Sequence, residues 1–265
     1  GNKRKGEDYK HNTYYDLGRI VDNTRQNANQ SLIMPAYMYR DWNKDKSPLP
    51  KEFNDNAILL KDATVFANVG DVMELADDAN QIYNEYYTGV TNDKNIKMSN
   101  KLGNPDNGKL RKIYDFVTAY QNVLRGDSIQ NNYHRVEITN NEGRQLADRY
   151  GGAHSIYTIT KSGHDGYHDI ETLNMINLTD VSNVNWQVST KEDEASKVVN
   201  NTGKLHVKYY VDPFRRIDKV WMASPDKNDG RTKTLDFKRG WDKNGDYVEF
   251  DIDNLEYWNL IYMKG

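Results

Sequence analysis

The chain has 265 residues, 28% of them charged, a formal charge of −3 and no cysteine. That length allows two domains of ordinary size with a sizeable core. No apolar run approaches the roughly 20 residues of a spanning helix, and the interspersed signs leave no basic stripe for nucleic acid, so neither a membrane span nor a nucleic-acid partner is expected. Without cysteine, thiolate chemistry, Cys-based zinc sites and disulfides are excluded. Cytosol and secretion from a bacterium that does not use disulfides both remain open.

Aromatic usage is uneven, with 19 Tyr and 5 Trp against 6 Phe. A ring with a polar edge can stack its face on a pyranose while its hydroxyl or N–H meets sugar hydroxyls. Tyrosine is also simply a good strand residue, and most of these positions are read that way. The chain opens at Gly1 without an initiator Met or a signal-peptide pattern, as expected of a processed, trimmed or engineered start.

From Tyr15 the apolar positions Leu17, Ile20, Val21 and Thr24 follow helical spacing, and the amide-rich residues 26–30 end the segment. Residues 31–39 (SLIMPAYMY) form a short, nearly continuous apolar run, as in a strand buried on both faces, although Pro35 removes one ladder donor. A polar stretch with Trp42, Pro48 and Pro50 leads to a helix around residues 54–61, with Ala57, Leu60 and Thr64 on one side. Residues 63–69 (ATVFANV) then read as a second buried strand, which gives the grammar of a parallel sheet. An acidic, aromatic loop over residues 70–108 precedes a clear amphipathic helix over 109–125, with Leu110, Ile113, Tyr114, Val117 and Leu124 on one face and Gly126 expected at C′.

Beyond Gly126 the grammar changes to short strands at 134–138, 155–160, 173–178, 205–211, 217–223, 233–237, 247–252 and 257–263. Leu205, Val207, Tyr209 and Val211 alternate with polar residues, as do Val248, Phe250 and Ile252. Turns are expected at Ser162-Gly163, Asp229-Gly230 and Asn244-Gly245. The expected fold is therefore α/β followed by all-β, the second part an antiparallel β-sandwich of Greek-key type.

Two parallel strands can neither close a barrel nor bury both faces of a sheet. Either further strands precede Gly1, or the segment holds irregular structure. If the two are the last strands of an eight-fold barrel, residues 40–53 and 70–108 are loops of its active-site face. In or beside those loops stand Tyr37, Tyr39, Trp42, Asp71, Glu74, Asn84, Glu85, Tyr86 and Tyr87. Carboxylates and amides hold vicinal hydroxyls while aromatics stack on sugar rings, although a solvated acidic loop has a similar composition. We take Tyr37, Tyr39, Asp71, Glu74, Asn84, Glu85 and Tyr86 as candidate substrate-binding residues. His164 and His168 lie in a Gly-rich turn without a helix-borne metal pattern, and Asp242, Asn244 and Asp246 lack the closing Glu of a calcium loop, so no metal and no cofactor are expected. No G-x-S-x-G, P-loop or dinucleotide fingerprint is present.

In order along the chain, MPAYMYR, FNDNAILLKDATVFANVGDVMELAD, NEYY, NIKMSNKL, LRKIYDFVTAYQNVLRG, VWMASPDKNDGRTKTLDFKRG and YVEFDIDNLEYWNLIYMKG resemble the C-terminal half of glycoside hydrolase family 66. The likeness runs from about Tyr14 to Gly265. The resemblance implies endo-dextranase or cycloisomaltooligosaccharide glucanotransferase activity on α-1,6-glucan or isomaltooligosaccharides. It also implies a catalytic (β/α)8 barrel ending near residue 130, a β-sandwich over 131–265, and an extracellular or cell-surface location in a bacterium. The family's retaining mechanism uses an Asp nucleophile and a Glu acid/base. In its register, residues 31–39 and 63–69 are the seventh and eighth barrel strands, so the nucleophile falls ahead of Gly1 in a missing upstream part of the same barrel. Glu7 stands near the acid/base place, but without the expected aromatic neighbour or a strand around it, so no catalytic residue is assigned. The family's glucanotransferases carry a module between the seventh strand and the seventh helix. Here only residues 40–53 occupy that place, which implies a dextranase-like parent.

Overall fold

The computed structural model describes residues 13–28, 32–34, 54–72, 108–186 and 198–265. Helix α1 (Tyr14–Ala28) starts at a reciprocal cap: the Asp16 N–H donates to Thr13 Oγ1 at 3.1 Å and the Thr13 N–H donates to Asp16 Oδ2 at 3.2 Å. Its Leu17 and Val21 are fully buried. Strand β1 (Ile33–Met34) follows, then α2 (Asp55–Ala67), where Asn54 caps the start by accepting from the Ala57 N–H at 3.1 Å. Strand β2 (Asp71–Val72) pairs in parallel with β1, Ile33 opposite Asp71 and Met34 opposite Val72.

The reading of residues 63–69 as a strand is corrected by this arrangement. Residues 63–67 continue α2, with Asn68 as its C-cap and Val69 in the turn beyond, and every residue from Ala57 to Ala67 is buried. A helix enclosed on all sides has no polar face, so its apolar run carries no period to separate it from a buried strand. The parallel partner of β1 lies just beyond it. Of residues 31–39, only 33–34 are described as extended; 35–39 lie outside the described residues.

The helix expected over 109–125 is interrupted at Tyr120 and forms α3 (Lys109–Ala119) and α4 (Gln121–Arg125). The Tyr120 hydroxyl donates to Gly230 O at 2.7 Å, which ties the break to the turn before a later strand. Gly126 is not left-handed: its φ is −54°, and a Cβ there would stand 2.6 Å from Asn122 O.

The rest forms two antiparallel sheets with a short parallel addition. The larger contains β3 (Gln130–Asn131), β5 (Ala147–Asp148), β6 (Ser155–Asp165), β7 (His168–Leu178), β9 (Lys219–Ala223), β10 (Lys233–Leu235) and β13 (Trp258–Lys264), in the order β10-β9-β13-β7-β6-β3 with β5 parallel to β6. The smaller is β11-β12-β8-β4, made of β4 (Val136–Asn140), β8 (Leu205–Tyr210), β11 (Phe237–Asp242) and β12 (Gly245–Ile252). The expected strand over 233–237 is two strands in different sheets, with the chain crossing at Asp236. Ser162-Gly163 is no turn; it lies inside β6, and the reversal is at Gly166-Tyr167. The hairpin expected at Asn244-Gly245 turns one residue earlier, at Lys243-Asn244, and Gly245, at φ +123°, opens β12 opposite Asp242.

The larger sheet is covered on both faces. Ile156, Leu173, Met175, Val220, Met222, Ile261 and Met263 meet Ile138, Val207, Tyr209, Val248, Phe250 and Ile252 of the smaller sheet. On the opposite face Tyr157, Ile159, Ile176, Leu178, Trp258 and Leu260 share a core with Leu17, Val21, Phe66, Leu110 and Phe116 of the helices. Trp258 is fully buried, with Phe116 edge-on at 5.0 Å and its Nε1–H donating to Asn174 Oδ1 at 2.9 Å. Phe116→Ala is expected to cost about 3–5 kcal/mol of stability, read by urea denaturation.

Between the sheets lies the fully buried carboxyl of Glu171. Its Oε2 accepts from Tyr209 OH at 2.7 Å and Asn132 Nδ2 at 2.8 Å, and Arg215 Nε stands 2.7 Å from Oε1. Burial pushes this carboxyl up to about 7, against the opposing pull of the Tyr209 hydrogen bond and the Arg215 charge. With the folded value above the ordinary 4.5, the group's stabilising contribution is whole below pH 4.5 and is lost as pH rises through about 7. Urea denaturation should therefore show stability falling across that window with a slope of up to about 1.4 kcal/mol per pH unit. The slope should flatten in Glu171→Gln, and an unchanged profile in that variant would contradict the assignment.

Candidate functional site

In open and closed parallel sheets, ligands meet the loops beyond the carboxyl ends of the strands. In this chain the carboxyl ends of the parallel pair are at Met34 and Val72. Tyr37, Tyr39, Glu74, Asn84, Glu85 and Tyr86, together with Trp42 and Tyr87, follow those ends in sequence and lie outside the described residues. Of the seven candidates Asp71 is described. It opens β2, its N–H donates to Leu32 O at 2.8 Å, and its Oδ1 accepts from Arg125 Nη1 at 2.6 Å. Arg25 Nη2 adds a bond to Gly126 O at 3.1 Å. Asp71 is thus engaged at the seam between β2 and the end of α4, just ahead of the loop it was expected to serve.

The described residues on either side of 73–107 carry ion pairs. Asp71–Arg125 lies ahead of its start. Beyond its end, Lys109 at the head of α3 reaches Glu256 Oε1 at 2.9 Å and Asp226 Oδ1 at 3.5 Å. Asp226 Oδ2 accepts from the Tyr257 and Trp258 N–H groups at 3.0 and 2.9 Å, and burial raises its pKa against the opposing Lys109 charge. Beneath, α2 carries Lys61 and Asp62 with no exposed surface and 2.9 Å between their charged atoms. An ion pair so enclosed specifies position more than it stabilises. A double-mutant cycle with Asp71→Asn and Arg125→Met should return a coupling of about 0.5–1 kcal/mol in thermal or urea unfolding. No coupling would mean that this pair does not join β2 to α4.

A second assembly escaped the sequence reading. Tyr15 and Arg19 of α1, Tyr133 and His134 after β3, and Arg149 after β5 converge from three separate stretches on a small polar hollow, and Tyr150 packs against Tyr15 and Arg149. The one signal for it was the tyrosine excess, with Tyr133 and Tyr150 each flanked by a cationic or imidazole side chain in sequence.

The chain belongs to glycosyl hydrolase family 66, whose profile matches residues 7–262. It is 29% and 31% identical over 212 residues to two cycloisomaltooligosaccharide glucanotransferases of Niallia circulans, alignments that cover 80% of this chain and 20% of each relative. It is 26% identical over 280 residues to a dextranase of Streptococcus salivarius, covering 95% of this chain and 32% of that protein. A crystal structure of a Paenibacillus sp. cycloisomaltooligosaccharide glucanotransferase complexed with cycloisomaltoheptaose is similar in fold, with a TM-score of 0.62, 26% identity, and coverage of 80% of this chain and 27% of that one. The chain therefore spans a fifth to a third of the length of these relatives. Among the described residues no helix is long and apolar enough to cross a membrane.

Proposed function

We propose that this chain is the C-terminal part of a retaining endo-dextranase that hydrolyses the α-1,6-glucosidic linkages of dextran. Residues 1–130 complete its (β/α)8 barrel and residues 131–265 form its C-terminal sandwich. The single observation that carries this reading is the order α1-β1-α2-β2-α3 with β1 and β2 paired in parallel, in a chain of this family. That order puts the stretches with Tyr37, Tyr39, Glu74, Asn84, Glu85 and Tyr86 after the carboxyl ends of adjacent parallel strands, where a barrel builds its active face. The chain supplies substrate-binding loops. The nucleophile belongs to barrel strands outside it, on a further part of the same barrel. A polymer such as dextran is attacked outside the cell, which puts the enzyme at or beyond the bacterial surface.

A second reading is favoured by the glucanotransferase relatives, one of them solved with cycloisomaltoheptaose bound: a parent that closes α-1,6-glucan into rings. The dextranase alignment, extending over 95% of this chain against 80% for the glucanotransferases, supports the first. Product analysis of the enzyme with its whole barrel separates them, linear isomaltooligosaccharides supporting the dextranase and cyclic ones the transferase.

The purified 265-residue chain is expected to be retarded in gels containing dextran, not in gels containing soluble starch, and to release no reducing ends from dextran. Equal mobility with and without dextran would remove the α-1,6-glucan reading, and measurable hydrolysis would refute the absence of a nucleophile. In the enzyme with its whole barrel, Tyr39→Ala, Glu74→Ala and Glu85→Ala should each lower turnover of isomaltooligosaccharides. Unchanged kinetics in all three would sink the site assignment.

A further inference from the structure

Tyr133 stands in a conformation that bulky residues avoid, with φ +55°, and keeps 52% of its surface in solvent. The turn that carries it is held from both faces of the larger sheet. On one side Lys161, buried in β6, donates to Asn131 Oδ1 at 2.5 Å. On the other, Asn132 Nδ2 donates to Glu171 at 2.8 Å and to Tyr209 OH at 3.1 Å. Lys161 pairs with Thr172, the neighbour of Glu171, so Lys161 and Glu171 point to opposite faces. Asn132 Oδ1 accepts the His134 N–H at 2.9 Å, and His134 Nε2 stands 3.3 Å from Asp212. Each neighbour of Tyr133 is thus pinned. Its own hydroxyl accepts from Arg19 Nη1 at 2.6 Å. Strain held by so much surrounding structure points to a role for the side chain it presents.

Tyr150, packed against the hollow's Tyr15, keeps 55% of its surface exposed. Tyr15 meets it edge-to-face at 5.3 Å, and Arg149 lies over its ring at 4.9 Å while donating to its hydroxyl at 2.8 Å. The hollow, lined by Tyr15, Tyr133 and polar residues that include Asn68 and Asn131, has a volume of about 40 Å³. That volume admits one water-sized group, not a whole ring. Arg19 already serves Asp22, Asn23 and Tyr133, and Arg149 serves Tyr150. What the rim offers outward is aromatic surface, which fits a neutral polyhydroxylated ring better than an anion. Asn68 lies just ahead of β2, so this surface is removed from the carboxyl ends of the parallel pair.

We infer that the hollow lined by Tyr15 and Tyr133, with Tyr150 packed against Tyr15, is an auxiliary α-glucan-binding site, in which a glucosyl ring lies on the exposed tyrosines and seats one hydroxyl in the hollow. This rests on the α-1,6-glucan reading of the proposed function. The site holds the polymer without touching the bond that is cleaved.

The experiment is affinity electrophoresis of the full chain in dextran, comparing Tyr150→Ala, Tyr133→Ala and the ring-preserving Tyr150→Trp and Tyr150→Phe. The alanine variants are expected to raise the apparent dissociation constant about fivefold or more, as for loss of a ring-stacking contact, while the tryptophan and phenylalanine variants stay within about twofold. Circular dichroism and urea midpoints identify any variant that has lost its fold, and Tyr150, on the surface, serves where Tyr133 does not fold. Retardation of the wild type that is unchanged in both alanine variants overturns the site and leaves the substrate reading standing. No retardation of the wild type at all overturns both, and weakening by Tyr39→Ala or Glu74→Ala alone assigns binding to the barrel loops instead.

Discussion

Because the larger sheet is covered on both faces, the buried side chains of its central strands β6, β7 and β13 point into one of two cores, and every buried polar group among them needs a partner inside the protein. Asn174 finds the indole of Trp258, Glu171 finds Tyr209 and Asn132, and Lys161 finds Asn131. The Tyr209–Glu171 bond joins the smaller sheet to the larger one, and Trp258–Asn174 and Lys161–Asn131 tie neighbouring strands within the larger sheet. The parallel pair β1-β2 is held in turn through α1, α2 and α3, which rest on that sheet.

Such two-sided burial also decides what a sequence can disclose. Leu205, Val207 and Tyr209, like Val248, Phe250 and Ile252, belong to a sheet with one wet face, and their alternation gives strand and register together. In residues 63–69 the same apolar density has no period, because α2 is enclosed all round, and length alone would have had to separate helix from strand. Lys61 and Asp62, charged and consecutive, are buried with each other. The glycines misled for a related reason. Gly163 is in β6 because a Cβ would strike Ile129 and Ser128, a close approach that sequence punctuation cannot tell from a turn.

The candidate site divides along similar lines. A run of carboxylates, amides and tyrosines after each parallel strand is visible from composition and spacing, since all of it lies in one stretch of chain. Asp71 shared that composition, yet its partner Arg125 is distant in sequence, and nothing local announces the ion pair. The tyrosine-lined hollow is hidden further, being assembled from the first turns of α1 and the segments after β3 and β5. The family match spans residues 7–262 and does not distinguish those two regions.

Strand β13 lies between β7 and β9, although both precede it in the chain. During synthesis the two halves of the sheet must therefore wait, each with an unpaired backbone edge, until residues 258–264 clear the ribosome and close the gap. Unpaired edges of this kind invite association with other chains. The nascent protein passes through a stage in which most of its strands exist but its central seam does not, and a chaperone that shields sheet edges would find its substrate there.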